Sequence, residues 1–185
     1  MSGMKVSLPL TEQMIHDLRC GDQLLLSGFL YTARDAAHKR LVESLSKNGK
    51  LPVELKSQVI YYAGPTPAPP GRVIGSAGPT TSQRMDSMTI PLLEYGVKGL
   101  IGKGSRSEEV KKALVQHKAV YLAATGGAGA LLAQRIKSAE IVAYEDLGPE
   151  AIYKLEVQEF PVVVINDING NDLYEAGQKA YKRLI

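Results

Sequence analysis

Apolar and polar positions change period repeatedly along the chain, and the changes predict strands and helices in alternation. Residues 5–9 read as a short strand and 11–18 as one or two helical turns. The apolar run 23–30 has the length of a buried strand. Thr32-Ala-Arg-Asp35 then has the form of a capping box with Asp in place of Glu, and predicts a helix over 33–48. Ala37, Leu41 and Leu45 fall at i, i+4 and i+8 and form its apolar stripe. Residues 58–63 are the next strand. Four prolines between 64 and 71 remove donors and stiffen φ, so this stretch is a rigid exposed loop. A strand is expected to resume at 72–77. The turn at 78–82 caps a helix over 82–95, which Pro91 is expected to kink or interrupt.

The second half repeats the alternation. A strand at 99–101 leads to a glycine-flanked turn at 102–105, then a helix from Ser107 to His117 and a strand at 119–124. A glycine-rich loop at 125–130 opens a short helix ending near Arg135. Residues 136–144, 152–157 and 162–166 read as three strands, and 171–184 as the last helix. The pattern predicts an α/β fold with a mixed or largely parallel sheet, residues 1–185 making a single domain. Paired β-runs near 58–77 and 136–166 predict more than one sheet layer.

With 44% apolar and 22% charged residues the composition is globular, which excludes a disordered tail or a coiled coil. No apolar run reaches the roughly 18 residues of a membrane helix. The opening MSGMKVSLPL has one lysine and no apolar h-region, so a cytoplasmic location is expected. A net charge of +3 is too small to argue nucleic-acid binding. Cys20 is the single cysteine, and His16, His38 and His117 are scattered. One thiol makes no internal disulfide, cysteine-rich zinc site or iron–sulfur ligand set. Most ligands of any metal or cluster must therefore come from another chain.

Candidate chemistry lies in four segments. In Gly78-Pro-Thr-Thr-Ser-Gln-Arg84, free N–H groups of a helix start attract anions, three hydroxyls stand beside them, and Arg84 offers a planar fork to a carboxylate or phosphate. Arg34 falls in the first turn of its helix, with His38 four residues on sharing its face. Cations are disfavoured there by the helix dipole, so an anionic partner or a pair with Asp35 or another acid is implied. Lys103 sits between glycines that permit close approach of a ligand. The loop Thr125-Gly-Gly-Ala-Gly-Ala130 lacks G-x-G-x-x-G spacing, and a nucleotide ranks last among its uses, behind close helix packing. Arg34, Arg84 and Lys103 all follow predicted strands, where α/β folds gather ligands. Two or three fixed cations fit a small dianion, each charge-assisted hydrogen bond contributing about 1.5–3 kcal/mol. An ordinary N-cap, a solvated helix face and a polar turn are the plainer readings of the same residues, and both sets stay open here.

Four ordered motifs narrow the choice. Tyr31-Thr-Ala-Arg-Asp-Ala-Ala-His38, Tyr62-Ala-Gly-Pro-Thr-Pro67, Gly78-Pro-Thr-Thr-Ser-Gln-Arg-Met-Asp86 and Gly99-Leu-Ile-Gly-Lys-Gly-Ser105 resemble the class I fumarase and L-tartrate dehydratase family over essentially the whole chain. The likeness is to the beta subunit of two-chain members, equivalent to the C-terminal domain of one-chain enzymes. It implies a multi-layer, swivelling β/β/α-type domain and a hydro-lyase acting on fumarate and malate, or on tartrate. It also implies a 4Fe-4S cluster bound by a partner alpha subunit, an active site between the two parts, and a hetero-oligomer. By the same resemblance, Arg34, Arg84 and Lys103 hold substrate carboxylates. Thr80 removes the carbon-bound proton, with Thr81 beside it as a substrate-binding residue and the alternative base. A rival expectation uses the same cations in a non-catalytic carboxylate-binding or regulatory module of a partner enzyme.

Overall fold

The structure is a computed structural model and describes residues 3–182. Its strands are β1 (Met4–Ser7), β2 (Gln23–Thr32), β3 (Val59–Tyr61), β4 (Gly99–Gly102), β5 (Val120–Ala123), β6 (Ile136–Ala143) and β7 (Ile152–Asn166). Its α-helices are α1 (Glu12–Asp17), α2 (Asp35–Asn48), α3 (Asp86–Tyr95), α4 (Glu108–Gln116), α5 (Gly129–Ala133) and α6 (Leu173–Tyr181). The helix end predicted at Leu184 lies outside the described residues. No described helix is long and apolar enough to cross a membrane.

β1 to β5 pair in parallel, neighbour with neighbour. β7 runs antiparallel to β2 on one edge and to β6 and then β5 on the other. The pairs β2–β3, β3–β4, β4–β5, β5–β7 and β7–β2 close a circuit, so the mixed sheet folds into two leaves joined by hydrogen bonds. Period-2 alternation sorts the side chains of the parallel leaf between two cores. Val59, Tyr61, Ile101, Val120 and Leu122 point inward, against Leu24, Leu26, Leu30, Leu155 and Phe160 of the antiparallel leaf. Ile60, Tyr62, Leu100 and Tyr121 point outward, under Leu41 of α2, Leu92 of α3 and Leu114 of α4. The result is the expected mixed α/β architecture, with two sheet layers and one helix layer.

Several local expectations are corrected. Residues 72–77 form no strand. Their neighbour 64–71 has too few donors for a ladder, and isolated bonds replace one: Thr66 N to Ser76 O (3.0 Å), Gly75 N to Thr66 O (3.1 Å) and Ala77 N to Gly129 O (3.1 Å). The two strands at 152–157 and 162–166 are one strand, β7. A bulge at Gly28 (φ 124°) and Glu159 (φ 51°) carries it past Pro161, which lies in the gap between the β6 and β5 ladders. Pro91 does not interrupt α3. A 3-10 turn over Ser82–Met85 precedes the helix, and burial of Thr89, Leu92 and Leu93 holds it. Thr32-Ala-Arg-Asp35 is not a capping box. Thr32 Oγ1 donates to Ala151 O (3.3 Å) and accepts from Tyr153 N (3.0 Å) inside the sheet. The start of α2 is instead satisfied from far away, by Glu150 Oε2 accepting from Ala36 N (2.7 Å).

Candidate functional site

The carboxyl ends of β2, β3 and β4 release the chain on one side of the parallel leaf, and the candidate residues sit just beyond them. Arg34, the N-cap of α2 rather than a member of its first turn, follows β2 by two residues. Lys103 follows β4 directly. The β3–α3 connection brings Thr80 and Thr81 between them: Thr80 N donates to Tyr62 O (2.6 Å), Lys103 N to Thr80 O (3.2 Å) and Ser82 N to Lys103 O (2.9 Å). Arg34, Thr80, Thr81, Arg84 and Lys103 all line one open cleft of about 400 Å³, together with Ser76, Gly78, Gly127 and Gly129. A glycine is required where a Cβ would collide. At Gly129 it would meet Gly78 N at 2.8 Å, whereas at Gly64 it would crowd Arg34 Nη1 at 3.0 Å and Cδ at 3.1 Å, a tight fit. The glycine-rich loop thus packs its backbone against the Ser76–Gly78 strap.

The charges are partly balanced. Asp35 Oδ1 accepts from Arg84 Nε (2.9 Å), and Arg84 Nη2 lies 2.9 Å from Asp35 Oδ2 as an ion pair. Arg34 Nε lies 3.4 Å from the same carboxylate, and its Nη2 lies 3.0 Å from Glu150 Oε1. Among the described residues Lys103 has no carboxylate within 4 Å. Three cations therefore face two carboxylates, and each arginine keeps donors that Asp35 and Glu150 do not use. Such a cleft can take a small anion through side chains. Of the backbone donors near the helix start, the amides of Thr80 and Ser82 are already bonded within the protein.

Two expected members of the site lie elsewhere. Ser82 is buried and bonded to Tyr121. His38 does not share a free face with Arg34: it is fully buried, edge-on to Tyr62, with Nδ1 donating to Arg34 O (3.2 Å) and Nε2 unpartnered. Burial pulls its pKa down to about 4, so the ring is neutral at pH 7. Glu150 and Arg106 were not singled out from the sequence. Glu150 lies 116 residues from Arg34, and no local pattern links them. Arg106 sits in a polar stretch before α4 that reads as solvated.

A cluster or metal finds no ligand set here. Among the described residues no group of three His, Cys, Asp or Glu could hold a metal ion. Cys20 lies before the start of β2 whereas Arg34 follows its end, roughly 30 Å away along a ten-residue strand. Burial, then the carboxylates of Asp167, Asp172 and Asp22, pushes its thiol pKa up, away from the thiolate a metal needs.

A sequence profile of the family described as Fumarase C-terminus matches residues 2–177. The chain belongs to that family. A provisionally named L(+)-tartrate dehydratase subunit beta of Methanocaldococcus jannaschii is 40% identical over 182 residues, 95% of this chain and 93% of its own length. The anaerobic class I fumarate hydratase of Escherichia coli K12 is 43% identical over 155 residues, and fumarate hydratase 2 of Leishmania major 38% identical over 173. These alignments cover 83% and 92% of this chain but 28% and 30% of the two hydratases. The chain thus corresponds to under a third of those enzymes and to nearly the full length of the beta subunit.

Proposed function

We propose that this chain is the beta subunit of a hydro-lyase for a 2-hydroxy dicarboxylate, completing its active site against a cluster-bearing alpha subunit in a cytoplasmic hetero-oligomer. The observation that carries the proposal is the convergence of Arg34, Arg84, Lys103 and Thr80 on one cleft. The sequence's single cysteine is too few to ligate a 4Fe-4S cluster, which the proposal therefore assigns to the partner. When bound there, the cluster would supply Lewis acidity toward the substrate's hydroxyl and carboxylate.

This chain's residues do the rest. Arg34 and Arg84 offer their remaining N–H donors to one carboxylate, and Lys103 is a point charge for the other. Thr80 accepts the proton from the carbon next to the hydroxyl-bearing one as the C–H bond breaks, with Thr81 one residue along. A threonine hydroxyl is a weak base, and the neighbouring cations favour its alkoxide. Both fumarate with malate and tartrate present two carboxylates, and the cleft suits either pair.

The test is anaerobic reconstitution with the alpha subunit, following fumarate absorbance and tartrate consumption. Turnover of either substrate is expected from the pair and not from this chain alone. No turnover of fumarate, malate or tartrate would overturn the proposal. Unchanged turnover in Thr80→Ala would leave a carboxylate-binding module in its place.

A further inference from the structure

Beneath the cleft lies a charge that the proposed chemistry does not use. The Arg106 side chain has no solvent exposure. Its Nε donates to Asp86 Oδ1 (2.7 Å), Nη1 to Tyr62 Oη (3.1 Å) and Nη2 to Thr89 Oγ1 (2.7 Å). The guanidinium carbon lies 5.4 Å from the centre of the Tyr62 ring and 5.1 Å from that of Tyr121. A buried ion pair of this kind is a poor source of stability, because a well-packed apolar replacement is often as stable. What distinguishes this one is what its partners touch.

Each partner leads to a segment that bears a site residue. The Tyr62 carbonyl takes the amide of Thr80. Asp86 opens the helix two residues after Arg84, and its Oδ2 accepts from Ser107 N (2.7 Å), beyond Lys103. Tyr121 Oη donates its one proton to Gly104 O (2.8 Å), so Ser82 Oγ must donate to Tyr121 Oη (2.8 Å). One phenol oxygen therefore joins the residue after Thr81 to the residue after Lys103. The two loops are also pressed together, since a Cβ on Gly102 would overlap Ser82 Oγ.

We propose that Arg106, with the Tyr62 and Tyr121 hydroxyls, is a buried brace that sets the spacing between the Thr80–Arg84 segment and Lys103. Arg106 is a positioning residue and touches no substrate. The inference rests on the proposed function for its kinetic readout only.

The test uses the reconstituted pair of subunits with two variants. Tyr121→Phe keeps the ring and its stacking and removes the linking oxygen. Arg106→Lys keeps the charge and loses the fork. Tyr121→Phe is expected to lower kcat about tenfold and Arg106→Lys about a hundredfold, with KM rising by less than the roughly 10–100-fold expected for losing Lys103 itself. Amide hydrogen exchange on the same complex is expected to quicken about tenfold at Ser82 and Lys103 in both Tyr121→Phe and Arg106→Lys while β5 and β7 stay protected. Uniform acceleration across the chain would make Arg106 merely structural and overturn the brace, as would unchanged exchange at Ser82 and Lys103. Unchanged kcat in both variants would do the same. Should the wild-type pair be inactive, the proposed function fails by itself, and hydrogen exchange still decides for or against the brace.

Discussion

Two charged regions of this molecule use the same residue types to opposite ends. In the cleft, Arg34, Arg84 and Lys103 face only Asp35 and Glu150, and the glycines around them leave room for a further anion. On the flank where α4 meets α6, Lys111 faces three carboxylates: Glu108 at 2.9 Å, Asp172 at 2.8 Å and Glu175 at 2.5 Å. Burial opposes the ammonium there, but these carboxylates hold its pKa above the ordinary lysine value. The flank is saturated and has nothing left to bind an anion with. The cleft is short of negative charge at the end of a parallel sheet. A ligand site is therefore marked by an imbalance of charge left open to solvent, and the number of charges gathered does not mark it.

That contrast can be broken in several ways, beginning with the largest effect. Thr80→Ala in the reconstituted pair is expected to lower kcat by about 10²–10⁴-fold with KM nearly unchanged, as measured by steady-state kinetics. A comparable loss in Thr81→Ala with none in Thr80→Ala would move the base by one residue. Lys103→Met removes the cation that has no carboxylate partner. KM for the dicarboxylate is expected to rise about 10–100-fold, and the ionic-strength dependence of kcat/KM to weaken. Arg34→Lys keeps the charge but loses the fork, and is expected to fall between wild type and Lys103→Met.

The acid response of the fold comes next. His38 has its folded pKa depressed to about 4 from 6.5, so between those values the unfolded chain binds more protons than the folded one. Its stability contribution is full above pH 6.5 and is lost as pH falls toward 4, by up to about 3 kcal/mol. Urea unfolding at pH 7 and at pH 4.5 is expected to show a smaller difference in His38→Phe than in wild type. An equal difference would place the acid sensitivity elsewhere. Lys111→Met should do least to activity. It leaves the buried Asp172 carboxylate without its cation and is expected to lower stability by about 1–3 kcal/mol, while turnover stays within about twofold of wild type.

The cleft was legible in the sequence to the extent that strand ends were legible. Alternation of apolar runs with helical stripes marks where β2 and β4 stop, and the residues just beyond, Arg34 and Lys103, are then ligand candidates. Arg84 follows from the helix start expected after a strand at 72–77; the helix start is present, but the strand before it is β3. The missing parts depend on distance along the chain. Glu150 caps α2 and pairs with Arg34 across 116 residues, and nothing near either residue announces the other. Arg106 lies beside Ser105 and Ser107 in a stretch whose polarity reads as solvent exposure. Tyr62, just past the end of β3, Tyr121 of β5, and Asp86 and Thr89 of α3 pack around it and bury it. The strand expected at 72–77 had the apolar residues of one, Val73 and Ile74, but its would-be partner carries prolines where a ladder needs donors. Local patterns thus report where a segment can go, and the pairing of segments decides which polar groups are left free.

The central claim is that the three cations of the cleft together receive a dicarboxylate. The most direct measurement is a crystal structure of the reconstituted subunit pair with malonate, a dicarboxylate with no C=C bond to hydrate and no hydroxyl to eliminate. The account predicts carboxylate oxygens within about 3.2 Å of Arg34, Arg84 and Lys103. Malonate bound away from these side chains, or held by one of them with the other two turned aside, would contradict it.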